Sequence, residues 1–494
     1  MDRKDTNEFH RSNGMNLYRP IIMCSAQQDR STTDGNNNAG PFSTQGFLFA
    51  QINTQQDRNS TSEESEEISP HGNKIQRGFR ISAYCDQHDQ STYHHPSNRP
   101  YRRNYVCNRN FYSKIARRVY GLRQRFLERI LEIDPKPSRL LTGGPYDRLS
   151  QAVYDVYKSK AQKPQTYINK IERWKELFLS FTVLNCQFGL YIVGSTMTGF
   201  GANTSDIDMC LLMRRSFSDD PRQESLYQLE LLKMYLKNRA PITRAELILA
   251  RIPILKLMDD VSGFEIDLNY NNTVGLHNTH LLYCYSQCDW RVRPLVIMVK
   301  EWAQVNRIND AKKLTVSSYS WTLMVIQYLQ CGVFPAILPC LHSLCPAKFN
   351  VQLPGSHVTF TDVHESIREV RNYRSSNTET LGELFIGFLG YYANFDFKNY
   401  AISVRNGSPI LIDHCKRMNS PKNDPNQWKF LCIEEPFEHT NTARSVWHVP
   451  AFLHIKIVIR KSYEELKTSL KLRNVLPLDL IEDLDEEVLQ KQEQ

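Results

Sequence analysis

Gly194–Asp208 reads GSTMTGFGANTSDID, and this glycine-serine turn leading into two aspartates says more about the architecture than any other part of the chain. The turn follows Leu190–Val193, an apolar run that predicts a short buried strand. Gly194 lets the main chain approach an anion closely, and the Ser195 hydroxyl can hydrogen-bond an anion oxygen. The segment therefore predicts a phosphate-binding turn at the end of a strand.

Three aspartates follow a pattern that suits metal binding. Asp206 and Asp208 are two apart at the start of a predicted strand that runs to Met213, so their side chains share a face. Asp267 lies in a second short strand, Phe264–Asn269, and if the two strands are neighbours the three carboxylates converge. Bare carboxylates repel one another, and Mg²⁺ or Mn²⁺ relieves that repulsion with the oxygen ligands it prefers. Two such ions about 4 Å apart can hold the attacking and leaving oxygens of a phosphoryl transfer.

The same features resemble a known superfamily. The order of the Gly-Ser turn, the Asp-Ile-Asp strand and Asp267 is similar to the motif of the polymerase-beta-like nucleotidyltransferases. The stretch from Tyr146 to Leu470 resembles the terminal nucleotidyltransferases, and within them the cytoplasmic poly(A) polymerases of the germline-development type. Leu431–Phe437 and Asn441–Arg444 resemble the C-terminal block of that subfamily. The resemblance implies a palm that holds two divalent ions, Mg²⁺ or Mn²⁺, on the three aspartates.

The expected fold class is α/β plus α. Strands through Leu247–Leu257 and Phe264–Leu268, with a helix through Leu226–Leu236 on one face, complete a palm with a mixed sheet. After Asn272 the apolar periodicity becomes helical, at about 275–287, 291–305, 316–331, 380–394 and 442–470. We therefore divide the chain into a disordered polar region 1–98, a basic linker 99–140, a nucleotidyltransferase catalytic domain 141–272, a helical central (PAP-associated) domain 273–472 and a C-terminal tail 473–494.

The first 140 residues differ in composition from the rest. Residues 1–98 are rich in Asn, Gln, Ser and Thr without a sustained apolar period, so they cannot bury enough surface to offset chain entropy. Residues 99–139 carry twelve Lys or Arg against three Asp or Glu, more net positive charge than the +8 of the whole chain. Tyr101, Tyr105 and Tyr112 interleave with these basic residues, a combination that suits single-stranded RNA. A solvated, partly helical linker or an import signal is the alternative.

Cysteine usage and hydropathy bear on the compartment. The twelve Cys form no recognisable disulfide framework and no secretory segment opens the chain, so we expect a reducing compartment, the cytoplasm, with the nucleus as an additional location. One uncharged stretch, between Lys313 and Lys348, is broken by Pro335 and Pro339, so it predicts a buried core helix and not a membrane span. No membrane partner is expected, and nothing in the sequence implies an oligomer.

Several residues outside the aspartate motif match nucleotide-contacting positions of the family. Lys300 ends an apolar run on a predicted helix; the resemblance implies a contact with the triphosphate, and snorkelling to solvent is the alternative. Ser318 opens the next helix, where free N–H groups favour phosphate. By resemblance Tyr319 stacks on the base, and Asn272 and Asn278 lie near the ribose. With the turn and the C-terminal block, the implied nucleotide contacts are Gly194, Ser195, Asn272, Asn278, Lys300, Ser318, Tyr319, Thr440 and Asn441.

The C-terminal block bears on nucleotide choice. Uridylyl-preferring relatives carry a histidine directly before the asparagine of this block, where it crowds adenine. Here Thr440 precedes Asn441 and His439 stands one residue further away, so the resemblance implies a preference for ATP. The implied activity is template-independent transfer of AMP from ATP to an RNA 3′ end by two-metal catalysis. A terminal uridylyltransferase and a catalytically silent RNA-binding adaptor are the alternatives.

The choice of RNA is not encoded by a recognisable module, because the sequence contains no aromatic octapeptide of the RNP type. We therefore expect an RNA-binding protein partner to supply target specificity, as the resemblance also implies. The other expected partners are ATP and the 3′ end of mRNA.

Overall fold

The computed structural model describes residues 109–129, 137, 139–182, 188–213, 220–237, 242–349 and 367–476. The predicted polar region 1–98 lies outside the described residues, as do residues 99–108 of the predicted linker and residues 477–494 of the predicted tail.

The first half of the described chain contains a five-stranded mixed sheet. Its strands are β1 Phe188–Val193, β2 Ile207–Met213, β3 Ile242–Ile248, β4 Ile254–Asp259 and β5 Glu265–Tyr270. Their order in the sheet is β1-β2-β5-β4-β3, with β2 and β5 parallel and the other neighbouring pairs antiparallel. The stretch Leu247–Leu257, predicted as extended, is divided between two strands because residues 249–253 turn the chain back.

Helices make up most of the rest of the described chain. They are α1 Arg109–Glu128, α2 Asp147–Lys160, α3 Pro164–Phe181, α4 Ser195–Thr198, α5 Pro221–Leu236, α6 Thr273–Cys288, α7 Val292–Val305, α8 Ser318–Gln327, α9 Leu341–Leu344, α10 Pro346–Phe349, α11 Arg368–Asn372, α12 Leu381–Ala393, α13 Ile412–Arg417 and α14 Val449–Ser469. Two short strands, β6 Tyr400–Ala401 and β7 Ile410–Leu411, form a separate hairpin. The mixed sheet with its helices confirms the predicted fold class.

The palm core lies between the sheet and the helices that cover it. The indole N–H of Trp174 on α3 donates to the Leu190 carbonyl of β1 at 3.0 Å. Phe126 of α1 meets the same indole edge to face, with ring centroids 4.7 Å apart. Asp220 begins α5 by accepting hydrogen bonds from two N–H groups of the first turn. The predicted linker 99–140 therefore contains a helix, α1, that packs on the palm.

A second apolar core is built from α6, α7, α8, α12 and α14. Trp302 of α7 and Trp321 of α8 pack edge to face at 5.5 Å, and the Trp302 N–H donates to Ser462 Oγ of α14 at 3.0 Å. Leu149 and Val153 of α2 are buried in this core too, against α7 and α12. Although α2 precedes the sheet in sequence, it therefore packs with the helical half.

Two predicted helices have different bounds in the structure. The helix expected at 442–470 begins at Val449, with Pro450 in its first turn. At the expected start, Asn441 pairs with Glu434 and the Thr442 N–H donates to the Ile433 carbonyl at 2.9 Å. The helix expected at 316–331 is α-helical only to Gln327 and then continues as a π-turn to residue 332.

The uncharged stretch between Lys313 and Lys348 contains α8, whose residues from Ser320 to Gln327 are all buried. This confirms the predicted core helix. Within the ranges that the structure describes, no helix is both long enough and apolar enough to cross a membrane.

Candidate active site

Two neighbouring strands bring the predicted carboxylates together. In the parallel register of β2 and β5, Asp208 lies opposite Asp267. Asp206 lies one residue before β2 begins and, by alternation, on the face of Asp208. Because adjacent strands are about 4.8 Å apart, the register fixes the three carboxylates at one place on the sheet.

The environment of Asp208 disfavours the charged form of its carboxyl group. Burial raises the pKa of Asp208 to about 7, together with the charges of Asp267 and Asp206, and Lys170 and Lys256 offset part of that effect. Burial also raises the pKa of Asp206, against the opposing charge of Lys256. Negative charge is therefore concentrated beyond what the protein itself neutralises.

Lys256 is a residue of this site that the sequence motif does not include. It lies on β4 opposite Asp267, and its ammonium is 3.5 Å from Asp267 Oδ1, 3.9 Å from Asp206 Oδ2 and in an ion pair with Glu265. Burial alone would lower the pKa of Lys256, but these carboxylates raise it above its ordinary value. The sequence feature that could have indicated Lys256 as a site residue is that it is the single charged residue in the otherwise apolar strand segment Ile254–Met258.

The donor set fits hard divalent cations. Three carboxylates on one face, one of them with a strongly raised pKa, offer oxygen ligands and uncompensated charge, which Mg²⁺ and Mn²⁺ match. In the part of the chain that the structure describes, no three His, Cys, Asp or Glu side chains are already gathered closely enough to hold an ion. Instead, the Lys256 ammonium lies within 4 Å of Asp206 and Asp267 and partly neutralises them.

The Gly-Ser turn stands directly against this face. Gly194 has φ +69°, and a Cβ there would collide with the Asp208 carboxylate, so only glycine fits. Its N–H donates to Thr279 Oγ1 of α6 at 2.9 Å, which ties the turn to the first helix after the sheet. Ser195 follows at the start of α4, and its side chain is partly exposed. The predicted turn thus lies beside the predicted metal face.

Lys300 approaches the same turn from α7. Its ammonium donates to the Phe200 carbonyl at 2.8 Å. Burial lowers the pKa of Lys300, against the opposing charges of Glu301 and Asp208. Lys300 therefore points into the site and does not snorkel to solvent. Its predicted role toward a triphosphate remains a prediction.

A second group of predicted residues is joined by a carboxylate that sequence reasoning missed. Glu435 Oε1 accepts from Asn278 Nδ2 at 2.8 Å and from the Tyr319 hydroxyl at 3.4 Å. Its other oxygen accepts from the N–H groups of Phe437 and Glu438. Burial raises the pKa of Glu435, although these hydrogen bonds oppose the shift. Glu435 thereby connects α6, α8 and the C-terminal block. The sequence motif Leu431–Phe437 includes Glu435, but the motif does not show which residues its carboxylate contacts.

Two further predicted residues make local contacts. The exposed Ser318 hydroxyl donates to Asn309 Oδ1 at 3.1 Å, and the cap of α8 is supplied by Ser317, whose hydroxyl accepts from the Ser320 N–H at 3.2 Å. Asn272 lies where β5 leads into α6, and its carbonyl accepts from Cys210 Sγ at 3.5 Å.

The structure gives Asn441 a different role from the predicted nucleotide contact. Its side chain is buried: Oδ1 accepts from the Ile433 and Ala443 N–H groups, and Nδ2 donates to the Gln427 and Leu431 carbonyls. All the hydrogen-bonding capacity of the amide is used to hold the C-terminal block.

The neighbouring residues of the block are also engaged by protein. Thr440 is buried, and its carbonyl accepts from the Glu435 N–H at 2.8 Å. His439 adopts φ +55°, and its Nδ1 lies 3.1 Å from Glu434 Oε1. Glu434 also accepts from Arg405 and Ser403, so a buried carboxylate holds His439 together with these two residues.

Known proteins share this architecture. Residues 149–287 match the family model described as poly(A) RNA polymerase, mitochondrial-like, central palm domain, and residues 380–441 match the Cid1 family poly A polymerase model. The rat poly(A) RNA polymerase GLD2 is 39% identical over 340 residues, which cover 67% of each chain. The chain belongs to the GLD2 poly(A) RNA polymerase family. It also matches the fruit-fly gld-2 homolog A, with 42% identity over 71% of this chain, but spans only 26% of that relative's length.

Solved structures extend the likeness of this GLD2-family chain to the fold. GLD-2 in the GLD-2/RNP-8 complex is 36% identical, with a TM-score of 0.58 over 67% of this chain and 98% of the other. The Cid1 poly(U) polymerase is 25% identical, with a TM-score of 0.56 over 68% of this chain and 98% of the other. The palm and helical halves are thus both found in known polymerases.

Proposed function

We propose that this GLD2-family chain transfers AMP from ATP to the 3′ end of RNA without a template, and so extends the poly(A) tails of mRNA. The observation that carries the proposal is the register that sets Asp208 opposite Asp267, with Gly194 against Asp208. An RNA-binding adaptor has no use for this concentration of charge next to a glycine turn. The names of the GLD2 relatives support adenylyl transfer as the reaction.

Asp206, Asp208 and Asp267 are the residues that would hold two divalent ions. When bound, Mg²⁺ or Mn²⁺ would lower the pKa of the RNA 3′-hydroxyl and neutralise triphosphate oxygens. The 3′ oxygen forms a bond to the α-phosphorus, and the bond to the β-phosphate oxygen breaks, so pyrophosphate leaves. Ser195 and Lys300 stand on the turn side, where they can hydrogen-bond the triphosphate and stabilise developing charge.

The base and ribose contacts would come from the helical half. Tyr319 is oriented by Glu435 and offers its ring as a stacking surface, and Asn278 is held by the same carboxylate beside it. Thr440 and not histidine precedes Asn441, which favours ATP over UTP. The contact of His439 Nδ1 with Glu434 Oε1 at 3.1 Å supports this preference, because it engages the imidazole with protein.

Target choice would come from an RNA-binding protein. GLD-2 has been solved in complexes with RNP-8 and with GLD-3, which supports a comparable protein partner here. We place the enzyme in the cytoplasm, with the nucleus as an additional location.

The test is extension of a 5′-labelled oligoadenylate by the full chain with each nucleoside triphosphate separately, beside Asp208→Asn. We expect long tails from ATP that are lost by at least a factor of about 10³ in the variant, because one of the charges that hold the metals is gone. Asp260→Asn, in the exposed turn after β4, is the matched control and should extend normally. Tails from UTP would make the chain a uridylyltransferase. No tails, even with a tethered RNA, would favour the adaptor.

A further inference from the structure

Lys170 of α3 is a lysine without solvent exposure that neither the motif nor the proposed reaction uses. Its ammonium donates to Ser205 Oγ at 2.9 Å and to Thr196 Oγ1 at 3.5 Å. Thr196 follows the Gly-Ser pair and Ser205 precedes Asp206, so one side chain joins both ends of the segment that carries the candidate site.

The charge of Lys170 is compensated by the site itself. Burial lowers the pKa of Lys170 to about 8, and the charges of Asp208 and Asp206 counteract part of that shift. The ring of Phe264 lies 5.6 Å from the ammonium and adds a favourable cation–π interaction. The carboxylates proposed to bind metal therefore favour the charged form of Lys170.

A packing role alone does not explain this residue. The other buried positions of α3 are apolar or aromatic, and they fill the space between the helix and the sheet. A methionine at position 170 has a similar volume and would avoid the cost of removing an ammonium from water. The lysine therefore costs stability, so its use is to be sought in the site.

We propose that Lys170 is a positioning residue of the metal site, which holds the Gly-Ser turn against the Asp-Ile-Asp strand and supplies a fixed positive charge behind the carboxylates. This inference rests on the proposed function of those carboxylates. The two effects act in opposite directions. The ammonium repels an incoming divalent cation, whereas its hydrogen bonds maintain the spacing that turnover needs.

Three variants of the full chain separate these effects. Lys170→Met removes both the charge and the hydrogen bonds, and Lys170→Gln removes the charge but keeps a hydrogen-bonding group. Lys175→Met is the matched control, because Lys175 lies on the same helix, is 38% exposed and pairs with Glu172 at 3.0 Å. Mn²⁺ affinity is measured by electron paramagnetic resonance without nucleotide or RNA, together with the melting temperature and the rate of single AMP addition.

We expect Lys170→Met to bind Mn²⁺ about tenfold more tightly, because a repelling charge is lost. The same variant should add AMP about a hundredfold more slowly, because the turn and strand lose their spacing. Its melting temperature should not fall, and Lys175→Met should match the wild type in all three measurements. Lys170→Gln should show the tighter Mn²⁺ binding with a smaller loss of rate.

The inference is overturned if Lys170→Gln, melting like the wild type, binds Mn²⁺ with unchanged or weaker affinity; this variant decides the matter if Lys170→Met does not fold. A parallel fall in melting temperature, Mn²⁺ affinity and rate would also overturn it, since that is the result of a packing defect. Failure of the proposed function would be distinguishable from failure of this inference. A wild-type chain that binds Mn²⁺ but adds no AMP would contradict the proposed function, and the comparison of Mn²⁺ affinities between variants would still stand.

Discussion

Glu435 offers a graded test of how the helical half presents the nucleotide residues. Its carboxylate receives four donors: the Asn278 amide, the Tyr319 hydroxyl and the N–H groups of Phe437 and Glu438. Two of these contacts orient residues that we assign to the nucleotide, and two hold the C-terminal block. Changing this side chain should therefore affect stability and ATP binding together.

The size of each effect follows from the contacts. In Glu435→Gln the amide oxygen can keep the two N–H groups of the block, while its NH₂ faces Asn278, whose Oδ1 is buried without a partner in the structure and can turn to accept. That change loses charge but few contacts, so the free energy of unfolding should fall by about 1 kcal/mol. Glu435→Ala leaves three partly buried N–H donors unsatisfied at about 1–3 kcal/mol each, and we expect a loss of about 4 kcal/mol.

The assay is urea unfolding together with the KM for ATP at saturating RNA. In Glu435→Ala the KM should rise about tenfold, the equivalent of about 1.4 kcal/mol of lost orientation, and kcat should fall less. Glu438→Gln is the matched control, because Glu438 lies three residues away and its side chain pairs with the exposed Lys422; this variant should leave the KM unchanged. The reasoning is refuted if Glu435→Ala unfolds like the wild type, or if glutamine is as damaging as alanine.

Three further outcomes follow from individual residues. Gly194→Ala should abolish Mn²⁺ binding and lower the melting temperature, because the added Cβ collides with the Asp208 carboxylate. Gly263→Ala is the control: Gly263 also has a positive φ, +71°, but has open space around it, so this variant should lower stability only through its backbone conformation and should retain Mn²⁺ binding. Asn441→Ala should lower the free energy of unfolding by more than about 3 kcal/mol, because it leaves four main-chain groups unpaired, and a changed KM for ATP at unchanged stability would contradict our assignment. Burial lowers the pKa of His277 to about 4. The unfolded chain therefore takes up a proton near pH 6.5 that the folded chain does not bind until about pH 4, so His277 should lower the free energy of unfolding by up to about 3 kcal/mol as the pH falls from 6.5 to 4. In pH-dependent melting, His277→Leu should reduce this slope and leave the part that comes from His342, whose pKa burial also lowers to about 4.

The features that sequence reasoning found are those carried by local pattern. Strand alternation placed Asp206 and Asp208 on one face, and the apolar periodicity located α6, α7 and α12 to within a few residues. The pairing of Asp208 with Asp267 was the one long-range guess, and it depended on two strands separated by the whole of α5, β3 and β4 being neighbours.

The features that it missed depend on register and on tertiary contacts. Lys256 acquires its meaning only from the antiparallel pairing that sets it opposite Asp267. Glu435 and Asn441 lie in the same C-terminal block, but their side chains have different partners. Glu435 accepts a hydrogen bond from Asn278, whereas the Asn441 amide bonds only to the main chain, and the sequence motif does not distinguish the two cases. The late start of α14 also involves tertiary contacts, since Asn441 and Thr442 pair with Glu434 and Ile433 at the point where the helical pattern begins.

The position of α2 has a consequence for how this protein could be divided or exchanged. The chain leaves the helical core after Lys160 and returns to it near Asn272. Two main-chain hydrogen bonds fix the first connection: the Gln162 N–H donates to the Gly201 carbonyl at 2.9 Å, and the Asn203 N–H donates to the Lys160 carbonyl at 3.2 Å. The sheet with α3, α4 and α5 is thus inserted in the helical body after α2, whereas α1 packs on the palm from before α2. A fragment that starts at residue 273 would lack α2 and expose the apolar surfaces of α7 and α12 that it covers, which favours aggregation. Swapping palms between family members therefore requires α1 and residues 163–271 to be exchanged together, with α2, which lies between them in sequence, kept alongside the helices that it packs against.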